Sequence, residues 1–174
     1  MTPVLILPGI GNSGPEHWQS YWQRLEPSFR RIEMPNWDQP ELSDWVAAID
    51  VEVKRAAAPP VIAAHSLGCL ALAHWARAGG RLQAALLVAV PDPDGPQFPA
   101  VARSFGPVPL ERIPFRTIVV ASRNDPYGSF DLARRCAEAW GSELSDVGNA
   151  GHINAQSGLG DWPAGRALLS DLLA

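Results

Sequence analysis

The sequence predicts a three-layer α/β fold with a mostly parallel sheet of about six strands. Three observations point to it. Strand-length apolar runs alternate with helix-length segments through most of the chain. The runs Val61 to Ala64 and Ala84 to Val90 are apolar without interruption, as in strands covered on both faces, and Thr117 to Ala121 reads as another buried strand. Reactive residue types lie just past the ends of such runs, and in open α/β sheets ligands sit beyond the carboxyl ends of the strands.

The elements follow in order. Pro3 to Leu7 is a short apolar strand, and Pro8 to Pro15 is a loop by its glycine and proline content. Glu16 to Leu25 is a helix whose apolar side carries Trp18, Tyr21, Trp22 and Leu25. Phe29 to Met34 alternates in part and reads as an edge strand. Glu41 to Arg55 is a helix, with Leu42, Trp45, Ile49 and Val53 at helical spacing. After the central strand, Leu67 to Ala78 is a second helix of this kind. Pro91 to Pro114 is proline-rich and irregular, with room for one short helix. Ser129 to Trp140 is a helix, with Ser129 as N-cap and Gly141 as C-cap residue. Glu143 to Val147 is the last strand, and Pro163 to Leu173 is a closing helix with proline at its first position.

Bulk properties narrow the function class. The 174 residues are expected to form one domain, 1–174, and 47% hydrophobic content is enough for a core. The net charge is −4 and the basic residues are scattered, so no nucleic-acid footprint is expected. No apolar run reaches membrane-span length, and no charged-then-apolar leader opens the chain. Cys69 and Cys136 fall within predicted helices and read as reduced small hydrophobes. The expectation is a cytoplasmic protein without membrane association, and no protein partner is indicated.

The stretch Val61 to Gly68 carries the first chemical signal. Only Ser66 and its neighbours turn the chain between a strand and a helix, the setting of a nucleophile elbow. Such a turn needs small residues two before and two after the serine. Ala64 and Gly68 supply them, with Ala64 one methyl larger than the usual glycine.

A serine hydroxyl needs an adjacent base, usually a histidine oriented by a carboxylate. Of the four histidines, His65 adjoins the serine and is expected to point elsewhere; His74 sits in the following helix, and His17 follows the first loop. His152, in the glycine-rich loop after the last strand, is the best candidate for the base. For the acid, Asp125 follows the strand ending at Ala121, and Asp92 and Asp94 after Val90 are rivals that could simply cap turns. Ser66, Asp125 and His152 stand in the chain order serine, acid, histidine that α/β-hydrolases use. The oxyanion of acyl transfer needs two backbone donors. Leu67 and a residue of the Gly9–Gly11 loop, Ile10, are the expected pair.

A second pattern competes. Gly9-Ile10-Gly11-Asn12-Ser13-Gly14 matches the G-x-G-x-x-G dinucleotide fingerprint, with Glu33 in place as a ribose-binding acid. Pro15 directly after the third glycine argues against it, as do the short chain and the unexplained serine series. A non-catalytic interaction scaffold is a third reading, but all three residues of the series are present. No metal is expected, because the histidines and cysteines lack ligand spacing, and no cofactor is called for.

Over nearly its whole length the chain resembles the small α/β-hydrolases grouped with retinoblastoma-binding protein 9. The resemblance rests on Pro8 to Ser13 with His17-Trp18-Gln19, on Ala64 to Gly68, on Ser122 to Tyr127, and on Gly151 to Asn154 with Ser157 to Pro163. It implies a Ser-Asp-His hydrolase without a separate lid domain and the triad Ser66, Asp125 and His152. The L-x-C-x-E segment described for some relatives is absent, because Arg134 stands at the leucine position before Cys136 and Glu138. The expected activity is hydrolysis of a small ester or amide through an acyl-enzyme on Ser66. Phe98, Phe105, Val108 and Leu110 are candidates for an acyl-pocket wall or for packing on the sheet, and Trp162 for supporting the histidine loop.

Overall fold

The protein is described by a computed structural model covering residues 2–174. Six parallel strands form one sheet in the order β2-β1-β3-β4-β5-β6. They are β1 (Val4–Leu7), β2 (Arg30–Arg31), β3 (Val61–His65), β4 (Ala84–Val88), β5 (Arg116–Ala121) and β6 (Glu143–Asp146). The helices are α1 (Trp18–Leu25), α2 (Leu42–Arg55), α3 (Leu67–Arg77), α4 (Phe130–Trp140) and α5 (Pro163–Leu173).

The uninterrupted apolar runs have a direct cause. Successive strand residues face opposite sides of a sheet, and both sides here are covered. Leu5, Leu7, Ile62, Ala64, Leu87 and Val119 enter a core with Trp45 and Ile49 of α2, Leu70 of α3 and Trp140 of α4. Their neighbours Val4, Ile6, Val61, Ala63, Leu86 and Val120 enter a second core with Trp18 and Trp22 of α1 and Leu169 and Leu172 of α5. Three helices therefore cover one face and two the other.

The edges behave differently. β6 is mostly exposed, and its Glu143 and Asp146 pair with Arg116 and Arg123. Charge of this kind on an edge strand discourages pairing with other chains. At the other edge, the predicted strand Phe29 to Met34 shrinks to Arg30–Arg31. Ile32 still donates its amide to Ile6 at 2.9 Å, and then the chain leaves the ladder ahead of Pro35. Ile32 and Met34 are buried against the α2 core, so the alternation reflects packing rather than a longer strand.

The caps match the predicted chemistry. Ser129 accepts from the Leu132 amide, and Gly141 adopts the left-handed conformation at φ 71°. The 91–114 segment holds one 3₁₀ turn, Ala100–Phe105. Of its apolar residues, Phe105 packs fully buried against Trp45, and Leu110 is exposed. No described helix is long and apolar enough to cross a membrane.

Candidate active site

The turn after β3 is strained. Ser66 sits at φ 53°, ψ −122°, a conformation that costs a non-glycine residue about 1–3 kcal/mol. The surroundings enforce it. A β-carbon on Gly68 would lie 2.7 Å from the Pro8 carbonyl oxygen and 2.8 Å from that of Leu7. One on Gly9 would lie 2.9 Å from Ser66 Cβ. The loop after β1 is thus pressed onto the elbow, and glycine is what permits the approach.

This geometry also accounts for the first glycine of the Gly9–Gly14 pattern. Gly9 is taken up by the elbow, and α1 begins only at Trp18, capped by His17. The loop's Gly11 and Asn12 amides are spent on Trp37 and Gly9 carbonyls. Arg31 fastens the loop from outside, donating to Asn12 Oδ1 at 2.7 Å and to the Ser13 carbonyl at 2.9 Å. The Ile10 and Leu67 amides have no protein acceptor among the described residues, and both residues line the cleft above Ser66. Leu67 is also the first residue of α3, whose N-terminal dipole favours negative charge there.

The structure brings Ser66, His152 and Asp125 into one line. His152 Nδ1 lies 2.9 Å from both Asp125 carboxylate oxygens, and its Nε2 lies 2.8 Å from Ser66 Oγ. A carboxylate only accepts, so Nδ1 carries the proton and donates it to Asp125. Nε2 is then free to accept from the serine hydroxyl. The Asp125 side chain is 2% exposed and the His152 side chain 10%. The rival Asp92 instead accepts from the Asp94 amide and caps a turn.

The loop carrying His152 is held by groups that spacing alone does not reveal. Ser122 Oγ accepts from the Ala150 amide at 2.9 Å, and Asn124 Oδ1 from the Gly151 amide at 2.8 Å. His65 was expected to point away from the site, yet its Nε2 is 2.9 Å from the His152 carbonyl and donates to it. Trp18 Nε1 donates to the next carbonyl, that of Ile153, at 2.9 Å. Trp162 supports this arrangement at one remove, its ring packed against Trp18 and Trp22.

Two further imidazoles stand in a row beside His152. The His65 ring centroid is 4.9 Å from that of His152 and 4.6 Å from that of His17. His17 Nδ1 accepts from the Gln19 amide, which places its proton on Nε2. Burial, with help from the Arg31 charge, pushes the His17 pKa down to about 3. Burial likewise holds His65 well below the usual histidine range. Burial also raises both thiols, Cys69 and Cys136, which are free and buried. His74 bonds the Phe105 carbonyl, away from the serine.

Comparisons with known proteins place the chain in a family. The serine hydrolase family model matches residues 4–171. The chain belongs to the serine hydrolase family. A solved structure described as a YdeN-like hydrolase from Pectobacterium atrosepticum is 36% identical, with TM-score 0.89 over 99% of this chain and 90% of that one. The ydeN gene product of Bacillus subtilis, at 21% identity, superposes with TM-score 0.84 over 99% of both chains. A monoacylglycerol lipase from Paleococcus ferrophilus, at 14% identity, reaches TM-score 0.72 over 99% of this chain and 95% of its own. The last two similarities show the α/β-hydrolase fold. None of the curated proteins matches the chain.

Two predictions follow for this serine hydrolase family member. Gly68→Ala is expected to destabilise the fold by about 1–3 kcal/mol in urea unfolding, because backbone atoms must move. Gly14→Ala, where a β-carbon meets open space, is the control and is expected to be near neutral. Equal effects of the two would contradict the crowding argument.

The second concerns pH. With folded-state pKa values depressed, His17 and His65 stay neutral in the native protein while the unfolded chain protonates below about 6.5. Their contribution to stability is therefore complete above that pH and is lost as pH falls. The expected loss is roughly 1 kcal/mol per pH unit for each histidine below that pH. Urea unfolding between pH 7 and 5 should show this slope, and His17→Asn, which keeps the helix cap, should reduce it. A flat stability profile would contradict the buried neutral pair.

Proposed function

We propose that this hydrolase cleaves a small ester or amide through an acyl-enzyme on Ser66, with His152 as general base and Asp125 as its orienting acid. The observation that carries the reading is the continuous line from Asp125 through both nitrogens of His152 to Ser66 Oγ, with gaps of 2.8–2.9 Å. Ser66 Oγ attacks the carbonyl carbon as its proton passes to His152 Nε2. The negative charge moves to the carbonyl oxygen, where the Ile10 and Leu67 amides and the α3 N-terminus receive it. Collapse expels the alcohol or amine, which takes the proton from His152. Water then enters, gives its proton to His152 and releases the acid, returning the proton to Ser66. Asp125 stabilises the imidazolium throughout and keeps the proton on Nδ1.

The test is pre-steady-state hydrolysis of a p-nitrophenyl ester. Wild-type protein should release at most one burst equivalent of p-nitrophenol per chain, and Ser66→Ala should remain folded and show neither burst nor turnover. Asp125→Asn, which favours the wrong tautomer, is expected to lose about 10⁴-fold in kcat, as in a well-characterised triad. Asp92→Asn and Asp94→Asn should change little. A crippled Asp92→Asn beside a nearly normal Asp125→Asn would reassign the acid. Each proton and charge in these steps has a protein group to carry it, so turnover should survive exhaustive chelation. Activity lost on chelation and restored by one added metal would overturn that part of the reading.

A further inference from the structure

The cleft above Ser66 has a volume of about 600 Å³. Ile10, Leu67, Phe98 and Tyr127 give it apolar surface, and carboxamides such as Gln97 and Gln156 give it polar surface. Among the described residues, no Asp, Glu, Lys or Arg side chain lines it.

The nearby ionisable groups are committed elsewhere. Asp125 is 2% exposed and turns both oxygens to His152. Arg31 does not line the cleft, and its fork is spent on Asn12 Oδ1, the Ser13 carbonyl, Ser20 Oγ and Gln23. The wall histidines His17 and His65 are neutral at physiological pH because burial disfavours their charge. A bound ammonium or carboxylate would leave water for a surface that offers no opposite charge, and such desolvation is costly. An apolar acyl chain meets no such penalty and gains contact with Phe98 and Tyr127. Tyr127, 40% exposed, also sets its ring centroid 4.6 Å from that of His152.

We propose that the cleft selects uncharged esters with apolar acyl groups and rejects acyl chains that carry an ammonium or a carboxylate. The inference rests on the proposed chemistry at Ser66. It assigns the substrate class that this chemistry serves.

The experiment compares p-nitrophenyl butyrate with two esters of similar size, p-nitrophenyl 4-aminobutyrate and the p-nitrophenyl half-ester of succinate. Hydrolysis by full-length protein is followed at pH 7 after subtraction of the uncatalysed rate. For each charged ester the expected kcat/KM is at least tenfold below that of butyrate. Either charged ester hydrolysed within tenfold of butyrate overturns the assignment. Gln97→Glu places a carboxylate in the wall and should raise the 4-aminobutyrate to butyrate ratio at least threefold. An unchanged ratio counts against this wall as the binding surface. Ser66→Ala separates the two readings. Butyrate turnover that persists in it defeats the hydrolase reading. Turnover lost in it without charge discrimination in the wild type defeats the substrate class alone.

Discussion

The site depends on how closely the loop after β1 approaches the turn after β3. Gly9 and Gly68 leave no room for a β-carbon at that junction. The crowding holds Ser66 at positive φ, and the Ile10 and Leu67 amides, both at the cleft, have no protein acceptor among the described residues. The strain at Ser66 is supported by parallel pairing on both sides of β3, where β1 and β4 fix its register. Buried Gln19 reinforces the junction by donating to the Leu7 and Ala63 carbonyls at 3.1 and 3.0 Å. Fold energy is thereby converted into a preorganised cluster of donors, the arrangement from which acyl-transfer sites draw most of their rate enhancement.

The second requirement is a histidine delivered from 86 residues further along the chain. The loop that carries it has glycines at positive φ and little regular structure, so its own backbone does not fix it. Side chains from three other segments do so instead: Ser122 and Asn124 after β5, His65 at the end of β3, and Trp18 at the start of α1. A net hydrogen bond is worth about 1 kcal/mol, and four of them constrain the loop far more than any one would. The same arrangement buries two neutral imidazoles in a row beside His152. Acid therefore threatens the fold around the site, through the protonation of His17 and His65.

Much of this was readable from the residues. The apolar runs in β3, β4 and β5 announced a sheet covered on both faces, and the order Ser66, Asp125, His152 named the groups that the fold brings together. What was not readable depends on contacts between distant segments. His65 was expected to point away because only its neighbour in sequence was visible; its partner, the His152 carbonyl, is set by where the loop after β6 returns. Trp18 read as an apolar helix residue because periodicity registers its ring and not its N–H. The strand predicted over Phe29 to Met34 overshot because burial of Ile32 and Met34 under α2 imitates a ladder. The Gly9–Gly14 pattern could not be assigned from glycine spacing alone, since crowding by a phosphate and crowding by a neighbouring turn select the same residue.

The central claim is that the strained turn presents Ser66 as the nucleophile. Peptide mass mapping after treatment with a fluorophosphonate tests it most directly. The account predicts a single phosphonylated peptide, modified at Ser66, and no adduct in folded Ser66→Ala protein. An adduct on another serine, or labelling that persists in Ser66→Ala, would contradict it.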